Sequence, residues 1–245
     1  MKKVTKAVAA LMLMTAVVCA AGCNKLDEPN NGGDNEVNLN GSGTYNGHDY
    51  VDLGLPSGTM WATSNVEAGN AKGYAYFAWG ETETKSTYDW TTYKHRAGGD
   101  YPPTALTKYC YDQRFGFEFF TDNLTVLEPE DDPATVHWGE GWRTPTIEEW
   151  KELKDNCTCE WTTRNGINGG LFTAPNGNTL FLPAAGNYDT PQAGGLLHYN
   201  ETGRYWSSSL STYVPHSADE IQIHHGGLGY GDFLRFLGCT IRAVH

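Results

Sequence analysis

Residues that bind metals or act as nucleophiles occur in this chain, but none has the spacing of a known catalytic motif. Cys157-Thr-Cys159 is not a Cys-x-x-Cys pair and no second pair lies near it, which argues against a zinc site. His224 and His225 are adjacent on an expected strand, so their side chains point to opposite faces and do not share a metal. There is no His-Glu-x-x-His, Gly-x-Ser-x-Gly or phosphate-binding loop. We therefore expect no catalysis, no metal and no cofactor.

The acidic run from Glu128 to Asp132 carries the hard oxygen ligands that calcium prefers. It lacks the spacing of an EF-hand loop and the carbohydrate-coordinating motifs of calcium-dependent lectins, so we interpret it as a solvated acidic turn. Gly227-x-Gly229-x-Gly231 does not both follow a strand and open a helix, so we interpret these residues as turn glycines rather than as a phosphate loop.

The segment from Tyr230 to Leu237 concentrates aromatic and apolar side chains near the C-terminus. One strand face does not bury all of them, because side chains alternate between faces. Exposed apolar clusters mark binding surfaces, and aromatic side chains stack on sugars or anchor protein ligands. The alternative for each residue is that it completes the core. The predicted contacts for a protein or glycan ligand are Tyr213, His216, His225, Tyr230, Asp232, Phe233, Leu234, Phe236 and Leu237.

Three expected strands position these residues. They contain Tyr205-Trp206, Glu220–His225 and Thr240–Val244. Alternation along the second strand places Ile221 and Ile223 on one face. Glu220, Gln222 and His224 then point outward from the other.

A helix is predicted over Ile147–Asp155, with Thr146 and Glu149 forming a capping box. Ile147, Trp150 and Leu153 fall on one face of this helix. We expect Trp142 and Trp150 to fill the core and Arg143 to pair with a carboxylate such as Glu140, because a half-buried arginine needs one.

Strands are also predicted on both sides of a long irregular region. Before it, residues 50–53 and 60–62 form strands around a Pro56-Ser-Gly58 turn. After the helix, a meander of strands is expected near 159–163, 171–174 and 179–183. Asn165-Gly166 and Asn176-Gly177 lie in its turns. Residues 95–135 hold few regular signals.

Composition limits the class of partner. The 245-residue chain has a formal net charge of -12, which disfavours nucleic acid because phosphates select basic surfaces. Its 29 glycines and 11 prolines favour many turns and short strands.

The N-terminus reads as a targeting segment. Residues 1–22 combine three lysines with a short apolar stretch and end in small residues before Cys23, which resembles a bacterial lipobox. We predict a lipoprotein signal peptide (1–22), a lipidated Cys23, and a flexible tether over 23–44 that lacks aromatic residues. The alternative is a plain secretory signal with an incidental cysteine. The folded domain is expected over 45–245.

Charge and localisation follow from this processing. Removing 1–22 removes three lysines and no acidic residue, so -12 becomes -15. Asp27-Glu28 resembles signals that send lipoproteins to the outer surface of some Gram-negative cells. We therefore expect a lipid-anchored protein on the cell outer membrane that contacts the membrane only through its anchor.

Four further cysteines, Cys110, Cys157, Cys159 and Cys239, are either free or paired in disulfides.

Ordered sequence blocks resemble a known family. In chain order they are YVDLGLPSGTMWAT, YFAWGET, LTKYC, LEPEDDPA, WGEGWRTPTIEEWKEL, NGNTLFLPAAG, GRYWSSSL and a closing R-x-x-G-x-x-I-R-A-V. Together they are similar to a bacterial family of exported proteins, the Fibrobacter succinogenes major paralogous domain, over about residues 48–244. The resemblance implies an α+β, C-type-lectin-like fold of short antiparallel strands, one or two helices and long irregular loops. It also implies that Arg235, Gly238, Ile241 and Arg242 belong to the scaffold.

Two relatives with that fold frame the functional alternatives. The formylglycine-generating enzymes share the Gly141–Trp150 type of block, but their C-terminal cysteine pair has no counterpart beside Cys239. The variable proteins of diversity-generating retroelements end in a similar segment and bind ligands through it. The leading hypothesis is a non-catalytic ligand-binding lipoprotein; the alternatives are a structural subunit of a surface assembly and a retroelement-diversified binding protein.

Overall fold

Short strands and two helices build an α+β fold. The computed structural model describes residues 41–67, 72–98 and 105–245, which lie in one compact unit. The helices in these ranges are α1 (Pro133–Trp138) and α2 (Ile147–Asn156), with 3-10 segments at Phe117–Phe119, Pro129–Asp131 and Pro191–Ala193. The strands are β1 (Ser42–Tyr45), β2 (His48–Asp52), β3 (Met60–Ala62), β4 (Thr158–Arg164), β5 (Ile167–Thr173), β6 (Thr179–Pro183), β7 (Asn187–Tyr188), β8 (Leu196–Leu197), β9 (Thr202–Leu210), β10 (Ser217–His224) and β11 (Gly227–Leu234).

All pairings between these strands are antiparallel, in small sheets that follow chain order. The sheets are β1-β2-β3, β4-β5-β6, β7-β8 and β11-β10-β9, in which β11 is an edge strand. The predicted strands near residues 50–53, 60–62, 205–206 and 220–225 are confirmed as parts of β2, β3, β9 and β10.

The folded domain begins earlier than predicted. Ser42–Tyr45 forms β1 and pairs with β2, with Ser42 opposite Val51. The composition of this stretch favours a tether, but backbone hydrogen bonds to a neighbouring strand stabilise it without a large apolar surface. The expected signal peptide, Cys23 and the tether as far as residue 40 lie outside the described residues.

The helix prediction is confirmed with one correction. α2 spans Ile147–Asn156, and the capping box between Thr146 and Glu149 is present. Arg143 does not pair with Glu140. Its guanidinium forms a two-point ion pair with the Glu149 carboxylate at 2.5 and 2.6 Å, because the capping box aims that carboxylate back toward the chain entering α2.

The meander after α2 is confirmed as β4, β5 and β6, and Asn165 and Gly166 form its first turn. Both turn residues have positive φ, 51° and 79°, as a two-residue type I′ turn requires.

The C-terminal stretch departs from the strand predicted over Thr240–Val244. It makes isolated bridges to several elements, including Tyr205 with Thr240 and Trp61 with Val244. Its residues are buried, and Ala62 N donates to the carbonyl of Ala243. The stretch therefore joins separate sheets instead of extending one of them.

Large aromatic residues fill the interior, and Trp142 and Trp150 are both buried as predicted. Ile221 and Ile223 pack with α2 and β6, while Trp206 packs in a second cluster on the other side of β9–β11. Both faces of this sheet are thus covered at its centre.

The four described cysteines, Cys110, Cys157, Cys159 and Cys239, are all free and form no disulfide with one another.

Candidate functional site

Side chains alternate along β11 and divide the predicted contact residues between two environments. Tyr230 stands opposite Ile221 and Asp232 opposite Asp219, on the face toward α2. Phe233 lies on the other face, against Trp206. The nine residues therefore do not form one surface.

Three of the nine meet in a cavity of about 240 Å³ between α2 and the β10–β11 hairpin. We call it the hairpin cavity. Tyr213 is 90% exposed and Tyr230 is 40% exposed. The volume lies below the usual range for whole ligands, about 300–1,000 Å³, so the cavity holds one small group of a ligand. Its lining residues are Ile147, Lys151, Tyr213, Asp219, Tyr230, Gly231 and Asp232.

The β9–β10 loop holds Tyr213 outward. The hydroxyl of buried Ser211 accepts hydrogen bonds from the backbone N–H groups of Tyr213 and Val214, at 3.3 and 3.2 Å. Ser217 N donates to the carbonyl of Val214 at 2.9 Å and closes the loop. Because the backbone is held on both sides, the exposed ring is presented from a structured turn.

Tyr230 is fixed from the side of α2. The Lys154 ammonium lies 4.4 Å from the centre of the Tyr230 ring, a cation–π contact. One face of the ring is thus held by the helix while the residue stays exposed.

Two carboxylates share the cavity. Asp219 and Asp232 are cross-strand partners, and no described residue makes a hydrogen bond or ion pair with either carboxylate. Burial raises the pKa of Asp219 to about 6; Lys151 opposes the shift and Asp232 adds to it. Lys151 is itself bound to Glu148 at 2.6 Å. The cavity therefore offers free acceptor oxygens beside two aromatic rings.

Sequence reasoning missed Asp219, Lys151 and Ile147 in this cavity. The predicted strand began at Glu220 and left Asp219 outside it, whereas β10 begins at Ser217. Regular alternation from Ile221 then places Asp219 on the face toward α2. The signal for the two helix residues was the spacing of Ile147 and Lys151, one turn apart on α2.

The remaining apolar candidates belong mainly to the core, which corrects their assignment as ligand contacts. Phe236 and Leu237 are buried, and Phe233 and Leu234 are half-buried against the same core clusters. Phe236 packs edge-on against Trp90 at 5.0 Å. Phe236 and Leu237 are buried because the chain leaves β11 after Leu234 and turns toward the core.

The two histidine candidates lie apart from the hairpin cavity. His216 is half-buried between Trp90 and Phe115, with ring centres 6.3 and 5.6 Å away. His225 is exposed in the turn between β10 and β11, not on a strand as predicted. Neither residue lines the cavity.

Glu220 is buried, which corrects its predicted outward position. Arg204 Nη1 donates to Glu220 Oε1 at 2.8 Å, and the Phe233 ring lies 4.4 Å from the Arg204 guanidinium. Gly227, Gly229 and Gly231 also differ from prediction, because all three lie within β11 and not in a turn. A Cβ at Gly231 would stand 3.4 Å from Glu220 Oε1, an ordinary van der Waals contact.

The acidic run is not a solvated turn. Lys108 Nζ lies 2.5, 3.2 and 2.6 Å from oxygens of Glu128, Glu130 and Asp131. These three carboxylates are close enough together to hold a metal ion, and the ammonium stands among them. Lys94 adds a second ion pair to buried Asp131 at 2.6 Å.

An exposed aromatic loop was also missed. Phe117, Phe119 and Phe120 are all exposed, and Glu118 and Phe119 have positive φ, which turns the backbone sharply. The signal was the density of phenylalanine in RFGFEFF, residues 114–120.

Comparisons with known proteins returned no relatives. No protein-family profile, curated protein or solved structure matches the chain. Among the described residues, helices are too short or too polar to cross a bilayer.

Proposed function

We propose that this chain is an exported lipoprotein of the cell outer membrane whose folded domain binds a protein or glycan ligand without catalysing a reaction. In this proposal the α+β fold is C-type-lectin-like and belongs to the family that the ordered sequence blocks resemble. Cys23 carries the lipid, and residues 23–41 tether the domain. The ligand contacts are part of the C-terminal segment.

The observation that carries the proposal is the pairing of exposed Tyr213 and Tyr230 around the hairpin cavity. Exposed aromatic rings grouped around a cavity are typical of binding surfaces, because they stack on sugars or anchor protein side chains. Asp219 and Asp232 add acceptors for sugar hydroxyls or for the N–H groups of a basic side chain. Both ligand classes use the same chemistry here.

The residues that line the hairpin cavity and the protonation of the cysteine thiols both agree with binding without catalysis. Asp219 and Asp232 come from neighbouring strands, and no described serine, threonine, cysteine or histidine lines the cavity with them. Elsewhere the free cysteines have raised pKa values because they are desolvated, which disfavours the reactive thiolate.

Glycan-array binding and pull-down of bacterial surface proteins, both with residues 24–245, test the proposal. We expect saturable binding to a glycan or protein probe that the Tyr213→Ala/Tyr230→Ala variant loses. Absence of binding in both assays would contradict the proposal.

A structural role in a surface assembly is the second candidate, and the exposed Phe117, Phe119 and Phe120 favour it. Light scattering after gel filtration separates the two. A concentration-dependent oligomer that Phe119→Asp dissolves would support assembly, whereas a monomer favours ligand binding.

A further inference from the structure

A second and larger cavity lies away from the hairpin cavity and shares no lining residue with it. Its volume is about 660 Å³, within the usual range for a complete small ligand. We call it the Arg242 cleft. Its lining includes Asn65, Tyr74, Trp138, Arg164, Phe181 and Arg242.

Arg242 is 1% exposed, and its described hydrogen-bond acceptors are all neutral. Nε and Nη2 donate to Asn65 Oδ1 at 3.0 and 2.7 Å. Nη1 donates to the carbonyl of Ala62 at 2.9 Å, and Nη2 to that of Phe181 at 3.2 Å. Burial lowers the pKa of Arg242 to about 10. Buried charges are normally paired with an opposite charge, and among the described residues this one is not.

Two nitrogen atoms with unused N–H groups, Arg242 Nη1 and Asn65 Nδ2, remain at the cleft. A guanidinium has five N–H groups, and the four hydrogen bonds above leave one on Nη1. Asn65 Nδ2 is buried and makes no hydrogen bond of good geometry among the described residues, with the Tyr205 hydroxyl as its neighbour. Because Arg242 donates twice to Asn65 Oδ1, the orientation of that amide is fixed and its N–H groups are the unpaired side.

The other charges around the cleft add to its positive character. The Arg164 guanidinium lies over the Phe181 ring at 5.5 Å and has no carboxylate partner among the described residues. Glu67 is the one acidic lining residue, and its carboxylate faces His137 Nδ1 at 3.9 Å. In a chain of net charge -12, this cleft has two arginines for one acid.

Arg235 provides an internal contrast. It is equally buried and also caps backbone carbonyls, those of Tyr109 and Pro215 among them. It lines neither the Arg242 cleft nor the hairpin cavity. The combination of buried charge, unpaired donors and open volume distinguishes Arg242.

The side chains on the walls of the Arg242 cleft indicate which class of negatively charged ligand fits it. Tyr74, Trp138 and Phe181 supply aromatic surface, and Thr63, Ser64 and Asn165 supply hydroxyl and amide groups. Aromatic rings beside polar groups suit a sugar ring, which has an apolar face and hydroxyl edges. We propose that the Arg242 cleft binds a carboxylate-bearing sugar, with the carboxylate accepting from Arg242 and Asn65 and the ring lying against the aromatic walls.

Titration of residues 24–245 with D-glucuronate and with D-glucose, followed by NMR and calorimetry, tests this proposal. We expect saturable binding of glucuronate and at least about tenfold weaker binding of glucose, because a charge-assisted hydrogen bond is lost. Equal binding of both sugars, or no binding of glucuronate up to about 20 mM, would overturn it.

Two variants locate the site without removing Arg242, whose loss threatens the fold. Asn65→Asp places a carboxylate beside the guanidinium and should abolish glucuronate binding while leaving the thermal midpoint unchanged or higher. Arg164→Gln should weaken binding about fivefold, and Arg114→Gln, at an exposed ion pair elsewhere, should not. Unaltered affinity in Asn65→Asp and Arg164→Gln would place the sugar elsewhere and refute the assignment.

A further control separates this site from the ligand surface proposed above. Tyr213→Ala/Tyr230→Ala should leave glucuronate affinity unchanged, since neither tyrosine lines the Arg242 cleft. Loss of glucuronate binding in that variant would show that the sugar occupies the hairpin cavity and would overturn the assignment to Arg242.

Discussion

Glu220 holds its carboxylate inside the protein with only one oxygen satisfied. Oε1 accepts from Arg204, whereas Oε2 has no partner among the described residues. Burial raises the pKa of Glu220 to about 7, although Arg204 favours the ionised form. A raised pKa in the folded state means that ionisation opposes folding, so this group favours the fold below its unfolded pKa of 4.5 and loses that effect as pH rises through 7.

The resulting prediction concerns pH and stability. The free energy of unfolding should be greater at pH 5.5 than at pH 8, with Glu220 contributing about 2 kcal/mol of the difference. Glu220→Gln should remove most of that contribution, as measured by urea unfolding at both pH values. Glu148→Gln is the control, because Glu148 is exposed. An unchanged pH difference in Glu220→Gln would contradict the account.

Asp131 shows the opposite behaviour. Burial alone would raise its pKa, but hydrogen bonds from Lys108, Lys94 and Tyr109 outweigh burial and hold the pKa at about 2. Its contribution to stability is therefore present above pH 3.8 and is lost as pH falls through 2.

Asp131→Asn should cost about 3 kcal/mol at pH 7, because it leaves two lysines without their buried partner. Glu130→Gln, at an exposed carboxylate of the same cluster, should cost about 0.5 kcal/mol or less.

Calcium should not raise the thermal midpoint of the wild type, since the Lys108 ammonium already stands among the carboxylates. A calcium-dependent rise would show that the ion displaces the lysine.

At the scale of elements, local signals in the sequence predicted α2 and the β4–β6 meander well. The capping box and the Asn165-Gly166 turn act within a few residues, so their sequence signature is complete. Burial on the β10–β11 hairpin was predicted poorly. Alternation separates the two faces of β10, but it does not reveal that tertiary packing covers both of them and hides Glu220.

The candidate site was predictable only in part for the same reason. Tyr213, Tyr230 and Asp232 could be chosen from their types, but Asp219 lies just before the predicted strand and Ile147 and Lys151 come from a distant helix. Phe236 and Leu237 resemble the exposed candidates in sequence, and only the inward turn after β11 separates them.

The capping box gives a prediction for α2, which forms one wall of the hairpin cavity. Thr146→Ala should lower the free energy of unfolding by about 1 kcal/mol, because the Glu149 backbone N–H loses its acceptor. Chemical unfolding measures this loss, and Glu148→Ala on the exposed first turn is the matched control. Equal stability of Thr146→Ala and the wild type would show that the cap contributes nothing.

At the scale of the whole molecule, the fold joins separate sheets through its C-terminal stretch. Cys239–Val244 forms bridges to Phe77, Tyr205, Trp61 and Arg143. These contacts are far apart in sequence, so no local pattern predicts them. They also explain why Thr240–Val244 has strand character without being a regular strand.

Anchoring belongs to this scale as well. If Cys23 carries lipid, Cys23→Ala should move the protein from the membrane fraction to the soluble fraction, because the acylated residue is its proposed membrane contact. Fractionation followed by immunoblotting measures this change, with Cys159→Ala as the control at an exposed free cysteine. Membrane association that survives Cys23→Ala would exclude this anchor.

The central claim is that Tyr213 and Tyr230 present a ligand surface and do not support the fold. The direct measurement compares the wild type, Tyr213→Ala/Tyr230→Ala and the control Phe119→Ala, which changes an exposed ring elsewhere, in ligand titration and thermal unfolding. The account predicts that the double variant loses binding while its thermal midpoint stays near that of the wild type, and that Phe119→Ala binds normally. Binding retained by the double variant, or its unfolding, would contradict the account.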